Sequence, residues 1–397
     1  MSTDARHMNR ALSLARRGFG LVSPNPMVGA VIVKDGVVVG EGWHRVLGAD
    51  HAEIVALKQA QKKAKGADVF VNLEPCCHHG RTPPCAQALI DAGVRRVVVA
   101  MVDPNPLVSG KGIKMMADAG ILVEVGLKEK EARELNQAFA KWIVSRRPFV
   151  TLKMAATLDG RTAQRDGKSR WITCAESRKT VHRLRAGSDA ILVGAGTVRA
   201  DDPLLLPVYY PMKKAPLRVV VSSFGDLPLN SKLFSTTDRG PVAVALGAGI
   251  PAPAPVPAPA PGPAPAPAPG PAPAPVPGPV PAPAPVPAAL SSLPIQVINA
   301  PAPKTGVDLE LLLDTLGQQG IASVLCEGGH TLAASLLCAK LVDKLELFIA
   351  PKMLGDPDAK PLVADLGITQ LDQALGFKIL RTSRCGPDIR IEMIPTC

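Results

Sequence analysis

The stretch "HAEIVALKQAQKKAKGADVFVNLEPCCHHGRTPPC", His51 to Cys85, decides how this 397-residue chain reads. "AEIVALKQAQKKA" places apolar residues on one face at helical spacing. "DVFVNLEP" has the length and apolar run of a buried strand. "CAQALIDAG" reads as a second helix, ending on Gly93. A helix, a strand and a helix in close succession make an α/β unit. The same stretch carries six metal-binding side chains: His51, Cys76, Cys77, His78, His79 and Cys85.

His-x-Glu at a helix start, then a strand and Pro-Cys…Cys, is the signature of zinc deaminases. Three protein ligands leave the fourth position of a zinc ion to water, and the metal lowers that water's pKa toward about 7. A carboxylate that is not a ligand must then move the proton to the leaving amine. Glu53, two residues beyond His51, is placed to do so. The cysteine spacing is wider than Pro-Cys-x-x-Cys. Pro75-Cys76 opens the loop and Pro84-Cys85 closes it, with eight residues between the cysteines. Cys85 opens a helix whose N-terminus favours a thiolate. The expected ligands are His51, Cys76 and Cys85, with Glu53 catalytic. Cys77, His78 and His79 are left as loop residues. A closed site with Cys77 or a histidine as fourth ligand is the alternative, and it leaves Glu53 without a role.

Outward from this stretch, strands and helices continue to alternate. "MVGAVIV" and "VVVGEGWH" flank Lys34-Asp35-Gly36, a hairpin turn. "RRVVVAMVDPN" and "ILVEVG" read as strands and "KGIKMMADAG" as a helix. A new strand, "PFVTLKMAATLDG", begins after Arg146-Arg147. The expected domains are residues 1–147 and 148–397. Proline occupies every odd position from 251 to 287, 19 of the 41 prolines. Such a segment lacks alternate backbone donors and reads as an extended spacer. It is expected to be an insertion, 250–289, in a surface loop between "VAVALGAGI" and "LPIQVINAP".

"SPNPMVGAVIV", "HAE" and "EPCCHHGRTPPC" together resemble the deaminase half of the bifunctional riboflavin-biosynthesis deaminase–reductases. The resemblance covers the chain except the insertion. It implies a cytidine-deaminase-like three-layer α/β/α domain, then a dihydrofolate-reductase-like α/β domain. The implied substrate is 2,5-diamino-6-ribosylamino-4(3H)-pyrimidinone 5′-phosphate, which loses a ring amine. Asn25 and His44 would line that pocket. Asn25 read by itself is a turn residue. His78, His79 and Arg81 could meet phosphate or base.

In the second half, "VLCEGGHTLAASLL" and "VGAGTVRADDP" are glycine turns between a strand and a helix. Such turns present backbone N–H groups and a positive helix end to phosphate, although glycines also serve tight turns alone. "LKMAATLDGRTA", "SRWIT" and "GTVRADDPLL" are similar to the family's reductase half. The resemblance implies reduction of the ribosyl group to ribityl by NADPH. It places Ala155, Trp171, Thr197, Asp201, Ser223, Gly329, His330, Thr331, Leu332, Ala333, Ala334 and Ser335 on NADPH. Ser169, Arg185, Leu205 and Glu327 would hold the substrate. Lys153 is the candidate proton donor or polarising group, its plain reading being an exposed strand charge. The chain departs from the family at Val208, where an Arg would grip the substrate phosphate, and at Ser222, where the family has Asp. Lys213 or Lys214 are the candidate substitutes. The reductase is expected to work.

Composition limits the remaining classes. No apolar run is long enough to span a membrane, and the N-terminus does not read as a signal peptide. Eight cysteines, three of them clustered, suit a reduced cytoplasm better than a disulfide framework. Residues 1–147 carry 21 Lys+Arg against 14 Asp+Glu, a net +7. Nucleic-acid deamination would expect aromatic residues among those charges. Only Phe19, Trp43, Phe70, Phe139 and Trp142 are present, which counts against nucleic acid; the resemblance implies a small phosphorylated pyrimidine as partner, with no nucleic acid or membrane expected. The family resemblance implies a homodimer or larger. A deaminase with a silent reductase domain, and a zinc-stabilised interaction protein, are the other readings.

Overall fold

The computed structural model of the chain describes residues 2–77, 84–210, 214–247, 287–302 and 306–396. His78, His79, Arg81, Lys213 and the Pro/Ala segment up to residue 286 lie outside them.

The first half runs α1 (Thr3–Ala15), β1 (Gly29–Lys34), β2 (Val37–Trp43), α2 (Ala52–Ala60), β3 (Asp68–Val71), α3 (Cys85–Asp91), β4 (Arg96–Val99), α4 (Lys111–Asp118), β5 (Leu122–Val125), α5 (Glu129–Leu135) and α6 (Gln137–Ser145). Its sheet has the order β2-β1-β3-β4-β5. β1 is antiparallel to β2 and β3, whereas β3, β4 and β5 are parallel. The β1–β2 hairpin closes through Asp35 and Gly36, both at positive φ, as the Asp-Gly signal requires.

Alternation along the strands builds the three layers. Ala30 and Ile32 of β1, Val69 and Val71 of β3, and Val97 and Val99 of β4 pack with Ala56, Leu89 and Met116 of α2, α3 and α4. Val31, Phe70 and Val98 face the other way, onto Met8, Leu12, Ala132 and Phe139 of α1, α5 and α6. This is the α/β/α sandwich expected from the sequence.

The second half runs β6 (Phe149–Thr157), β7 (Arg161–Ala163), α7 (Ala175–Ala186), β8 (Ala190–Gly194), α8 (Ala195–Asp201), β9 (Leu217–Ser222), α9 (Lys232–Ser235), β10 (Val242–Leu246), α10 (Ala288–Ser291), β11 (Gln296–Asn299), α11 (Leu309–Gln318), β12 (Ser323–Cys326), α12 (His330–Cys338), β13 (Lys344–Ala350), β14 (Lys360–Pro361), β15 (Phe377–Cys385) and β16 (Asp388–Pro395). Its nine-stranded sheet has the order β11-β10-β9-β8-β12-β6-β13-β16-β15. β16 is antiparallel to β13 and β15, and every other neighbouring pair is parallel. β10 and β11 pair directly, so the strands flanking the Pro/Ala segment are neighbours.

Val150, Leu152 and Leu192 pack under Leu312, Leu313, Leu316 and Leu336 of α11 and α12. Ile191, Val193, Val220 and Val244 pack on the opposite face, with Val198 and Phe234. The two halves touch through α6. Trp142 Nε1 donates to Gly317 O at 2.9 Å, and Lys141 Nζ lies 2.7 Å from Asp343 Oδ2. Among the described residues, no helix is long and apolar enough to cross a membrane.

Candidate active sites

Two glycines set the geometry of the first site. A Cβ on Gly42 of β2 would lie 2.1 Å from Ala52 O, so its absence lets the start of α2 press onto the sheet. A Cβ on Gly112 of α4 would lie 2.1 Å from Pro75 O, so α4 approaches the Pro75-Cys76 loop equally closely. These contacts bring His51, just before α2, together with Cys76 and Cys85. The Nδ1 and Sγ atoms of the three lie within 4.8 Å of one another. His51 Nδ1 is 3.2 Å from Cys85 Sγ and 3.6 Å from Cys76 Sγ. A tetrahedral zinc site with ordinary Zn–N and Zn–S bonds has N···S edges of about 3.5 Å. One imidazole and two thiols at these separations fit the metal. The loop between the cysteines is tied at its base by Cys85 N donating to Cys76 Sγ at 3.3 Å and Ala86 N to Cys76 O at 3.1 Å.

Glu53 is 3% exposed beside this cluster. Burial, then the neighbouring Cys76, pushes its carboxyl up to about 7. A carboxyl poised there exchanges a proton readily at neutral pH. The hydrogen bond from Cys85 holds the Cys76 thiol down at about 4, and the same bond, with burial, pushes Cys85 up. Asn25 and His44 join the site: Asn25 Nδ2 is 3.2 Å from His44 Nε2, and the His44 ring meets His51 edge-on at 5.5 Å. Burial holds the His44 imidazole below its ordinary pKa, so it is neutral at pH 7.

Glu74 belongs to this site although the sequence reading gave it no role. It is buried, and its carboxylate accepts from the backbone N–H groups of Asp103, Gly110, Gly112 and Ile113 at 2.9–3.2 Å. It fastens the loop that starts with Pro75-Cys76 to the start of α4. An acidic residue directly ahead of Pro-Cys, just after the apolar run Val69-Phe70-Val71, was the available signal.

The second site lies at the ends of β8 and β12, which are adjacent parallel strands. Each runs into a glycine turn and a helix. Dinucleotides bind in such crevices beyond the carboxyl ends of parallel strands. Gly328 and Gly329 are not at positive φ, so the turn does not need them for its backbone shape. A Cβ on Gly194 or Gly196 would meet nothing within 4 Å, and one on Gly329 only Thr197 Oγ1 at 3.8 Å. The space over the three is open to a ligand, which suits the close approach of a dinucleotide. α12 begins at His330, with Gly329 as its N-cap. Thr331 to Ser335 follow within it, Leu332, Ala333 and Ala334 being buried.

Asp201 ends α8 and accepts from Ser169 Oγ at 2.8 Å. Trp171 is stacked under the Arg178 guanidinium, 4.3 Å from its ring centroid, and remains largely exposed. Arg185 on α7 grips Glu327 with two bonds, 2.6 and 2.9 Å. Lys153 and Ala155 share one face of β6. Burial pulls the Lys153 ammonium below its ordinary pKa, with Glu327 opposing. Leu205 is buried at positive φ in the loop after α8. Ser223 follows β9 and would be 3.7 Å from a Cβ on Gly306. Ser222 is buried and accepts from Gly225 N, a turn contact that needs no carboxylate.

Val208 is exposed beside His182, which receives its N–H at 3.3 Å. Lys214 Nζ lies 3.5 Å from Asp189 Oδ1, an ion pair that holds it at the junction between the halves. Arg218 of β9 is another residue the sequence reading passed over. It is 0% exposed and donates to Leu204 O, Thr236 Oγ1, Thr236 O and Gly240 O. Burial pulls its guanidinium down to about 10. It ties the loop carrying Leu205 to the core.

Known proteins resemble both halves of the chain. The cytidine and deoxycytidylate deaminase zinc-binding region family matches residues 1–101, and the RibD C-terminal domain family matches 148–249 and 288–391. The riboflavin biosynthesis protein RibD of Aquifex aeolicus is 38% identical over 388 residues, 98% of this chain and 97% of that protein. A structure of Acinetobacter baumannii RibD is 37% identical, covers 100% of this chain and 99% of its own, and superposes with a TM-score of 0.82. A structure of a Thermotoga maritima diaminohydroxyphosphoribosylaminopyrimidine deaminase/5-amino-6-(5-phosphoribosylamino)uracil reductase is 31% identical, covers 99% of both chains and has a TM-score of 0.78.

Proposed function

This chain belongs to the RibD family, the bifunctional enzymes of riboflavin biosynthesis, and from that premise we propose how its residues divide the work. It is a zinc-dependent deaminase and an NADPH-using reductase in one chain. We assign deamination to residues 1–147 and reduction to 148–397, with the Pro/Ala segment 250–289 as an insertion in the latter. The substrate we assign is the 2,5-diamino-6-ribosylamino-pyrimidinone 5′-phosphate of the T. maritima relative's first reaction.

The observation that carries the deaminase reading is the pairing of the His51, Cys76 and Cys85 donor cluster with the buried carboxyl of Glu53. His51, Cys76 and Cys85 would hold zinc, which would supply an acidified water at neutral pH. Glu53 would take the proton of a water held there as the water oxygen meets the amine-bearing ring carbon. The same carboxyl returns the proton to the nitrogen, which leaves as ammonia. Asn25 and the neutral His44 orient the base against this face.

In the second half, the open glycine turns at Gly194, Gly196 and Gly329 would cradle NADPH, with Ala155, Trp171, Thr197, Asp201, Ser223 and residues 330–335 around it. NADPH supplies the hydride for C1′ of the ribosyl group. Lys153, desolvated and therefore readier to release a proton, protonates the ring oxygen as the sugar opens. Ser169, Arg185, Leu205 and Glu327 hold the substrate. Val208 offers the phosphate no charge. A lost charged hydrogen bond of about 1.5–3 kcal/mol would weaken substrate binding about 10–150-fold.

We further propose a cytoplasmic homodimer or larger assembly. Ile379 and Leu380 on the outermost strand β15, and Ile389 on β16, present exposed apolar surface at the sheet edge, which favours pairing with another chain. The test of the site assignment is Glu53→Gln. Zinc content and reductase turnover are expected to stay unchanged while deamination disappears. Retained deamination would overturn the role of Glu53.

A further inference from the structure

We propose that Asp189, in the reductase half, is a positioning residue for the deaminase: through Ser23 it fixes the turn that carries Asn25. This rests on the reading of Asn25 as a substrate-binding residue. Asp189 sits between α7 and β8 and is 5% exposed. Its Oδ2 accepts from Ala322 N at 3.1 Å and from the N and Oγ of Ser323 at 3.0 Å, which pins the carboxylate to the start of β12. The same oxygen also accepts from Ser23 Oγ at 2.7 Å, across the junction and 166 residues away in sequence. Anchoring β12 does not require that fourth bond.

Residues just ahead of Ser23 are pressed onto the end of α7. A Cβ on Gly20 would lie 2.2 Å from Ala186 O, and one on Gly187 would lie 2.0 Å from the Phe19 ring. The far end of the turn is held within its own half: Met27 N donates to Asn136 Oδ1 at 2.8 Å, and Met27 O accepts from Asn72 and Asn136. Between these two anchors lies Pro24-Asn25-Pro26. Asn25 N donates to Val22 O, and Asn25 Nδ2 reaches His44. One anchor of the substrate turn therefore belongs to the deaminase and the other to the reductase. Removing the Ser23 bond releases one end of the turn. Asn25 then loses its fixed position while His51, Cys76, Cys85 and Glu53 keep theirs. A fault of that kind appears in substrate binding and not in the chemical step.

The experiment measures both activities in the full chain for Ser23→Ala, Ser23→Thr and Ser23→Ala/Asp189→Asn, using the diaminopyrimidine ribosyl phosphate and its deaminated product. Ser23→Ala is expected to raise the deaminase KM about tenfold, with kcat and both reductase parameters within about twofold of wild type. Ser23→Thr, which keeps the hydroxyl, restores the KM. Adding Asp189→Asn to Ser23→Ala raises the deaminase KM no further, because the bond is already gone. An unchanged KM in Ser23→Ala, no rescue by threonine, or a parallel fall in both activities overturns the proposal. If the wild-type chain does not deaminate, the deaminase reading itself fails and the proposal falls with it.

Discussion

Glu74→Gln tests how the metal loop is held. The wild-type carboxylate takes four backbone N–H donors, Asp103 and Gly110 on Oε2 and Gly112 and Ile113 on Oε1. Glutamine has the same shape but only one acceptor oxygen. Whichever way the amide turns, its NH2 faces two donors that it cannot satisfy. Each buried donor left unmet costs about 1–3 kcal/mol. Two of them, with some relief as the turn shifts toward water, cost about 3 kcal/mol of local stability. The strain falls on the backbone of Pro75 and Cys76, because α4 touches Pro75 O through Gly112. If half of it is felt at Cys76, zinc affinity falls about tenfold, near the lower end of what residues supporting metal ligands contribute. The assay is zinc release to a chromogenic chelator, run beside urea unfolding followed by a probe in the first half. An unchanged zinc affinity together with an unchanged midpoint would refute the reasoning.

Three other perturbations separate the two halves. Gly42→Ala places a methyl 2.1 Å from Ala52 O. The start of α2 must move, and deamination is expected to fall at least about tenfold while reductase turnover stays, read by parallel assays. Arg185→Lys replaces a two-bonded fork on Glu327 with a single point charge. Reductase kcat/KM is expected to drop at least about tenfold with deamination unchanged. His182 lies against Leu206 O and the Tyr209 ring, near Arg185 and Glu327, and burial holds its pKa below the ordinary value. Below about pH 6.5 the unfolded chain therefore binds the proton first, and stability falls as pH drops. His182→Asn should flatten the thermal midpoint between about pH 7 and 5.5, and an unchanged slope would contradict that assignment.

The metal cluster could be read from sequence because its spacing is dictated by chemistry. His51 and Glu53 must leave one helix start in different directions, and each ligand cysteine follows a proline. The layer architecture was expected from the family resemblance; the apolar run Ala30-Val31-Ile32-Val33 marks a buried strand, and the structure divides it between two cores. Strand order was not legible. β6 lies between β12 and β13, pairings that span up to about 200 residues and leave no local pattern. The same limit hid the Ser23–Asp189 bond. Glu74 and Arg218 escaped for another reason. An isolated Glu or Arg in sequence reads as solvent-facing, and only the backbone groups converging on each explain its burial. The close approaches at Gly42 and Gly112 were likewise invisible, since a glycine in a strand or helix does not name the backbone it faces. Val208 stood out only against the family pattern, and the structure adds that Lys214 is already paired with Asp189.

The central claim is that one chain carries both reactions, at two sites with separate requirements. The direct measurement follows loss of the nicotinamide absorbance in the purified chain, supplied in turn with the diaminopyrimidine ribosyl phosphate and with its deaminated product, before and after zinc removal by a chelator. With zinc present, both compounds should consume NADPH. After zinc removal, only the deaminated product should. No absorbance loss with the deaminated product, or loss with the diamino compound after zinc removal, would contradict the account.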